Sequence, residues 1–275
     1  MQGNLTSVLN IRPLDFLVVA EGSCTLSHRM KRLLSFLIVL SCVSLVAACG
    51  KKTPNELPPL ATNTQSSAGL ETFESVEAKA KAGDATAQFE LGAMYHDGQG
   101  VTKDFAQARS WFEKSAKQDD ARAQFNLGVM YYTGEGVKQN YKAAQDWFEK
   151  AAVQNNTRAL FNLGVMYYRG EGVKQDFAEA MNNFTKAGSL GFAEAQFNLG
   201  VMFAKGEGTE VDVGQSYAWF EAARSFGNPR ASEILKEIES ELQPDQLKIV
   251  KKMGEDLKKE INARVAALVA SGQPF

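Results

Sequence analysis

From residue 85 onward the apolar positions fall into a helical rhythm. Ala87, Leu91, Met94 and Tyr95 stand at i, i+4, i+7 and i+8, which puts them on one face of an amphipathic helix. Gly98-Gln99-Gly100 then breaks the pattern, because glycine accepts the positive φ of a tight connection. A second helix is expected from Asp104 to Lys117, with Ala108, Trp111, Phe112 and Ser115/Ala116 on one side. Asp104 stands where an N-cap is wanted, and Asn140, Asp176 and Asp212 take the same place further on.

The whole unit recurs. Leu91-Gly92 returns as Leu127-Gly128, Leu163-Gly164 and Leu199-Gly200, a step of 36 residues each time (128 − 92, 164 − 128, 200 − 164). The turn glycines and Phe112, Phe148, Phe184 and Phe220 keep the same register. A mid-helix glycine costs about 1 kcal/mol. Four of them in register predict a partner helix that packs too close for a side chain. One helix pair cannot bury its own apolar faces, whereas stacked copies can.

Both flanks read as caps. A lone helix over 71–81, with Phe73, Val76 and Ala80, is in register with the second helix of a unit. After Gly227, Ala231 to Leu235 matches a first helix that has lost its glycine. Pro244 then opens a helix with an apolar line of Leu247, Val250, Leu257, Ile261 and Leu268. It is expected to cap the last repeat, with a dimer or partner contact as the alternative.

The pattern AxAQFxLGxMYxxGxGVxxDxxxAxxWFxKAA resembles the Sel1-like repeat, a relative of the tetratricopeptide repeat, from Gly83 to Gly227. The resemblance implies an all-α, right-handed α-solenoid of four 36-residue helix-turn-helix units between N- and C-terminal capping helices. Its first helices would line a concave groove. Asn183 departs from the pattern, standing where the other units have Trp111, Trp147 and Trp219, so a weaker seam is expected there.

The front of the chain carries a different signal. Met30-Lys31-Arg32 precedes an apolar run from Leu33 to Ala48, the form of a secretory signal peptide. The run is too short to be read first as a membrane span. Val46-Ala47-Ala48-Cys49 resembles the lipobox of bacterial lipoproteins. That resemblance implies diacylglycerol on the Cys49 thiol, cleavage before Cys49 and acylation of the new amine. Gly50, rather than the Asp of inner-membrane retention, implies the outer membrane, with display on the periplasmic face.

The expected organisation follows. Residues 1–29 are an extension outside the translated protein, with the start at Met30. Residues 30–48 are the signal peptide, and 49–70 are the lipidated cysteine and a flexible Pro/Ser/Thr/Asn-rich tether. Residues 71–83 form the first cap, 84–227 the four repeats and 228–275 the C-terminal caps.

Composition and charge narrow the function. With 44% apolar and 23% charged residues the chain has the make-up of a folded protein, and its formal charge of -2 argues against a general nucleic-acid binder. Its cysteines are Cys24, Cys42 and Cys49, so processing would leave Cys49 alone. No His/Cys/Asp spacing suits a metal, the GxG turns lack a P-loop lysine, and no cofactor is expected. His96 falls where other units have Tyr132, Tyr168 and Ala204, and is read as a variable surface position. Some secreted relatives are described as β-lactamases or penicillin binders. They carry a cysteine pair in each repeat, absent here, and the repeat region holds no SxxK. No enzyme activity is expected, and a hydrolase of that type is the weakest reading.

A binding surface remains. The candidates on the concave side are Arg122, Phe125, Asn126, Tyr132, Arg158, Phe161, Asn162, Tyr168, Arg169 and Lys205. The phenylalanines never vary between units, which suits inter-repeat packing better than recognition. The arginines and tyrosines do vary. Such side chains are enriched at binding hot spots. They suit an acidic or extended peptide, or a glycan stacked on tyrosine. The sequence therefore reads as an envelope scaffold or adaptor that binds a peptide or protein. A scaffold for polysaccharide or peptidoglycan handling is the second reading.

Overall fold

The computed structural model describes residues 72–271. The extension 1–29, the signal peptide, Cys49 and the tether lie outside the described residues. The described residues form eleven helices and no strand: α1 (Phe73–Lys81), α2 (Ala85–Asp97), α3 (Phe105–Ala116), α4 (Ala121–Thr133), α5 (Tyr141–Val153), α6 (Thr157–Arg169), α7 (Phe177–Ser189), α8 (Ala193–Lys205), α9 (Val213–Ser225), α10 (Ala231–Glu241) and α11 (Pro244–Ser271). Helices α2/α3, α4/α5, α6/α7 and α8/α9 are four successive pairs. Each packs mainly on its chain neighbours, the arrangement of an α-solenoid.

Local chemistry sets the helix ends. Asp104 is extended, and its Oδ1 accepts hydrogen bonds from the Ala106 and Gln107 amides at 2.9 and 3.0 Å. Asn140, Asp176 and Asp212 cap their helices in the same way. The first helices have side-chain caps of their own in Asp84, Asp120 and Asn156. Helix α8 breaks the rule: Phe192 stands at its N-cap, and no side-chain bond forms. At the other end Gly98 takes a left-handed conformation, φ 76°, and its amide donates to the Met94 carbonyl at 2.9 Å.

The mid-helix glycines have the cause their periodicity predicts. A Cβ on Gly128 would lie 2.5 Å from Cδ1 of Phe148, and Gly92, Gly164 and Gly200 meet Phe112, Phe184 and Phe220 at 2.6, 2.6 and 2.7 Å. All four phenylalanines are 0% exposed. Leu-Gly on the first helix and Trp-Phe on the second are therefore two halves of one contact. At Asn183 a buried amide replaces the tryptophan of the other units, and its Nδ2 donates back to the Glu179 carbonyl at 2.9 Å.

At the C-terminal end α10 buries Ala231, Ile234, Leu235 and Ile238 in a cluster with Phe197, Tyr217 and Phe220. Helix α11 turns back over α9 and reaches α7, burying Val250, Gly254 and Ile261. Its predicted apolar line faces inward, with Leu247 and Leu257 packed against the core clusters.

Candidate binding face of the first helices

The contacts of α4 fix which way each of its side chains points. Gly128 touches Phe148 of the second helix of its own unit. Ala123, Leu127 and Met130 cluster with Phe89, Ala108 and Phe112 of the preceding unit. Phe125, Val129 and Tyr132 cluster with Phe148, Leu163 and Met166, toward the following unit. At 100° per residue, Asn126 lies nearly opposite Gly128. It faces away from the second helices, together with Arg122 and Thr133. The equivalent stripes are Thr86/Glu90/Asp97, Arg158/Asn162/Arg169 and Glu194/Asn198/Lys205.

This geometry corrects several assignments. Phe125 and Phe161 are 0% and 1% exposed, and they are core rather than recognition surface. Asn126 and Asn162 are each 0% exposed. Tyr132 and Tyr168 point along the array and not out of it. The Tyr132 hydroxyl donates to Glu171 of the next unit's turn, and the Tyr168 hydroxyl donates to Glu207 Oε2 at 2.8 Å. Burial, then the hydrogen bond to a carboxylate, push both hydroxyls well above the usual tyrosine range.

His96 belongs to the same column and is not an open surface position. It is buried, with Nδ1 2.6 Å from Asp97 Oδ1, Nε2 3.2 Å from Glu135 Oε2, and its ring edge-on to Phe105 at 5.2 Å. Residues 96, 132 and 168 thus each tie one unit to the turn glutamate of the next. Single-residue variability there reflected a choice of linker, not a choice of ligand.

The cations form the outer rows of the stripe. The Arg122 guanidinium lies 4.3 Å above the Phe89 ring and is neutralised by Asp120, with Nη2 2.6 Å from Oδ2. Arg158 occupies the same register one unit on, but its cap is the neutral Asn156, and no ion pair to Arg158 forms among the described residues. Arg169 and Lys205 lie 3.6 Å from Glu171 and Glu207. Arg230 repeats the stacking of Arg122, 4.3 Å over Phe197. At Glu194 the row reverses sign, and Phe192 covers Phe161 instead, with ring centroids 5.2 Å apart. Among the described residues no group of three or more His, Cys, Asp or Glu side chains is placed to hold a metal ion. No described helix is long and apolar enough to cross a membrane.

Comparison with known families matches the Sel1 repeat to residues 85–120, 121–156, 157–192 and 193–225, more than half of the chain. The chain belongs to the Sel1 repeat family. Each matched Sel1 unit begins at a first helix and includes the second helix that packs on it. A protective antigen present in uropathogenic Escherichia coli strains and displaying an SLR fold is 32% identical, with a TM-score of 0.61 over 74% of this chain and 45% of that one. A Sel1 repeat protein from Oxalobacter formigenes is 35% identical, with a TM-score of 0.56 over 60% of this chain and 48% of that one. The chain thus spans a little under half the length of either relative. No curated protein matches it. Sel1 repeat proteins in general mediate protein–protein interaction, and their scaffolds are typically non-catalytic.

Proposed function

We propose that this Sel1 array is a scaffold or adaptor whose first-helix face binds an acidic, extended segment of a partner protein. The observation that carries the reading is the set of cations on that face. Arg122, Arg158, Arg169 and Lys205 sit on units two to four and Arg230 at the N-cap of the following cap helix, in a chain of net charge -2. Arg122, Arg169 and Lys205 are held by Asp120, Glu171 and Glu207, so Arg158 is the cation of this set that would draw an acidic partner and disfavour a basic one. Lipid on Cys49 anchors the array to the bacterial outer membrane on its periplasmic side, a reading supported by the Met30-to-Cys49 sequence alone. Three acyl chains, at roughly 0.8 kcal/mol per buried CH₂, would make that anchoring nearly irreversible.

Photo-crosslinkers at the exposed positions Thr133 and Glu194, in the native envelope, test the reading. The expected result is one protein adduct that disappears in an Arg122→Ala/Arg158→Ala variant. Adducts to polysaccharide in place of protein would move the function to glycan handling.

A further inference from the structure

The charges of the first-helix face are of two kinds, held and free. Arg122 is held by Asp120 and by the Phe89 ring beneath it, and Arg169 and Lys205 are held by Glu171 and Glu207. Two neighbouring positions of one row are free. Arg158 and Glu194 are the equivalents of Arg122 in units three and four, 36 residues apart (194 − 158), and each is the second residue of its helix. Neither side chain forms an ion pair or a hydrogen bond among the described residues. Arg158 also lies over no ring, whereas Arg122 and Arg230 cover Phe89 and Phe197.

The fold does not account for either charge. A cation in the first turn of a helix is disfavoured by the aligned peptide dipoles. Asp120 offsets this for Arg122, and the neutral Asn156 cannot do so for Arg158. Glu194 has the sign that suits a helix start, yet no side chain caps α8, and Glu194 stands exposed. We propose that Arg158 and Glu194 read a charge pair on the bound segment, an acidic residue against Arg158 and a basic residue against Glu194. Packed helices lie about 10 Å apart, and a polyproline-type chain advances about 3.1 Å per residue. One unit of the array therefore matches about three residues, which is also one turn of that chain and returns both side chains to the same side. A second acid three residues from the first would meet Glu194 and be repelled. Glu90, also free, lies two units from Arg158 and outside this pair. The inference rests on the reading of the first-helix face as a protein-binding surface, and it narrows the acidic partner to one with a base in register.

The test is fluorescence polarisation of acetylated, amidated peptides carrying Glu-Pro-Pro-Lys, Glu-Pro-Pro-Glu or Gln-Pro-Pro-Gln, against the full lipidated chain in detergent. The parent should bind Glu-Pro-Pro-Lys about threefold to fivefold more tightly than Glu-Pro-Pro-Glu. Glu194→Arg restores the residue that this row has in units two and three, and should reverse that ranking. Because the readout is a ranking of peptides on one protein, a change in that protein's stability does not imitate it. Arg158→Gln should remove the preference of both Glu peptides over Gln-Pro-Pro-Gln. All of these preferences should shrink in about 1 M salt, where exposed charges are screened.

If the parent binds Glu-Pro-Pro-Glu as well as Glu-Pro-Pro-Lys, or Glu194→Arg leaves the ranking unchanged, the charge-pair inference is wrong. The acidic-partner face survives that result provided Arg158→Gln still loses its preference for Glu. If no peptide binds, or Arg158→Gln changes nothing, the protein-binding reading fails and takes the charge pair with it.

Discussion

At the scale of single residues the units differ by coordinated exchanges. Gln118 Nε2 donates to Gln88 Oε1 at 2.9 Å, and Gln154 Nε2 donates to Gln124 Oε1 at 3.0 Å, so two seams carry a glutamine pair. In the third unit both members become apolar, as Leu160 and Leu190, which pack in one cluster. In the fourth only one changes: Phe226 stands in the register of Gln118 and Gln154, and Gln196 leaves its Oε1 unpaired. A polar pair or an apolar pair is satisfied, and a mixed pair is not. Leu160→Gln alone should therefore destabilise by about 1–3 kcal/mol. The double variant Leu160→Gln/Leu190→Gln should recover most of it by denaturant unfolding. Equal loss in both would contradict the pairing.

The tyrosine links make a second residue-scale prediction. Folding raises the Tyr132 and Tyr168 hydroxyls above their ordinary value of 10.0, by burial and by the bonds to Glu171 and Glu207. The protonated hydroxyl is therefore the form that folding favours. Its contribution is intact below about pH 10 and is lost as pH rises through the folded range. Tyr132→Phe/Tyr168→Phe should lose stability less steeply above pH 10 than the parent does. Identical slopes would show that the links do not couple the hydroxyl protons to folding.

Elements were legible in the sequence to within a residue or two, because period and breaker coincide: Gly98 ends α2 and Asp104 begins α3 where the pattern placed them. The rotation of each first helix was less legible. Taking Leu91 and Tyr95 as the inner face put the phenylalanine and tyrosine columns on the groove side. The contact of Gly92 with Phe112 turns the helix so that Glu90 and Asn126 face outward instead. Apolar periodicity could not show this, because a solenoid helix has three packed sides: the preceding unit, the following unit and its own partner helix. The glycine column carried the missing phase.

That contact also sets an element-scale expectation. Gly128→Ala should lower stability by several times the roughly 1 kcal/mol that alanine would otherwise gain in a helix. The reason is that Phe148, 0% exposed, has no room to yield. A thermal midpoint equal to or above the parent's would refute the close approach. Deleting α11 should be severe in another way. It uncovers Val213 and Tyr217, each 2% exposed, and removes Met253 from beside Gly214 and Gly254 from beside Glu221. Truncation before Pro244 should lower the melting temperature and expose the last unit to proteolysis, as expected of a lost terminal cap. An unchanged melt would leave α11 free for a partner.

Across the whole molecule, the four copies build a core that no one unit holds, and the positions outside that core set the charge of the binding face. The face is graded. Unit one contributes Glu90 and Asp97, units two and three contribute Arg122, Arg158 and Arg169, and unit four carries both Glu194 and Lys205 on the same face. The cations were visible in the sequence because they vary between otherwise identical units. Their differing states were not: whether a guanidinium is neutralised depends on the residue two positions earlier, Asp120 for Arg122 and Asn156 for Arg158. The sign of an isolated residue does not report that.

The direct test reverses charge on one face at a time. Arg158→Glu, Arg169→Glu and Lys205→Glu are combined on the first helices. Lys114→Glu, Lys150→Glu and Lys186→Glu, exposed on the second helices, form the matched set. Both variants carry the Thr133 photo-crosslinker and are compared in the native envelope. The account predicts that the first set abolishes the protein adduct and the second leaves it intact. Equal loss from both sets, or loss from the second alone, would contradict a binding face on the first helices.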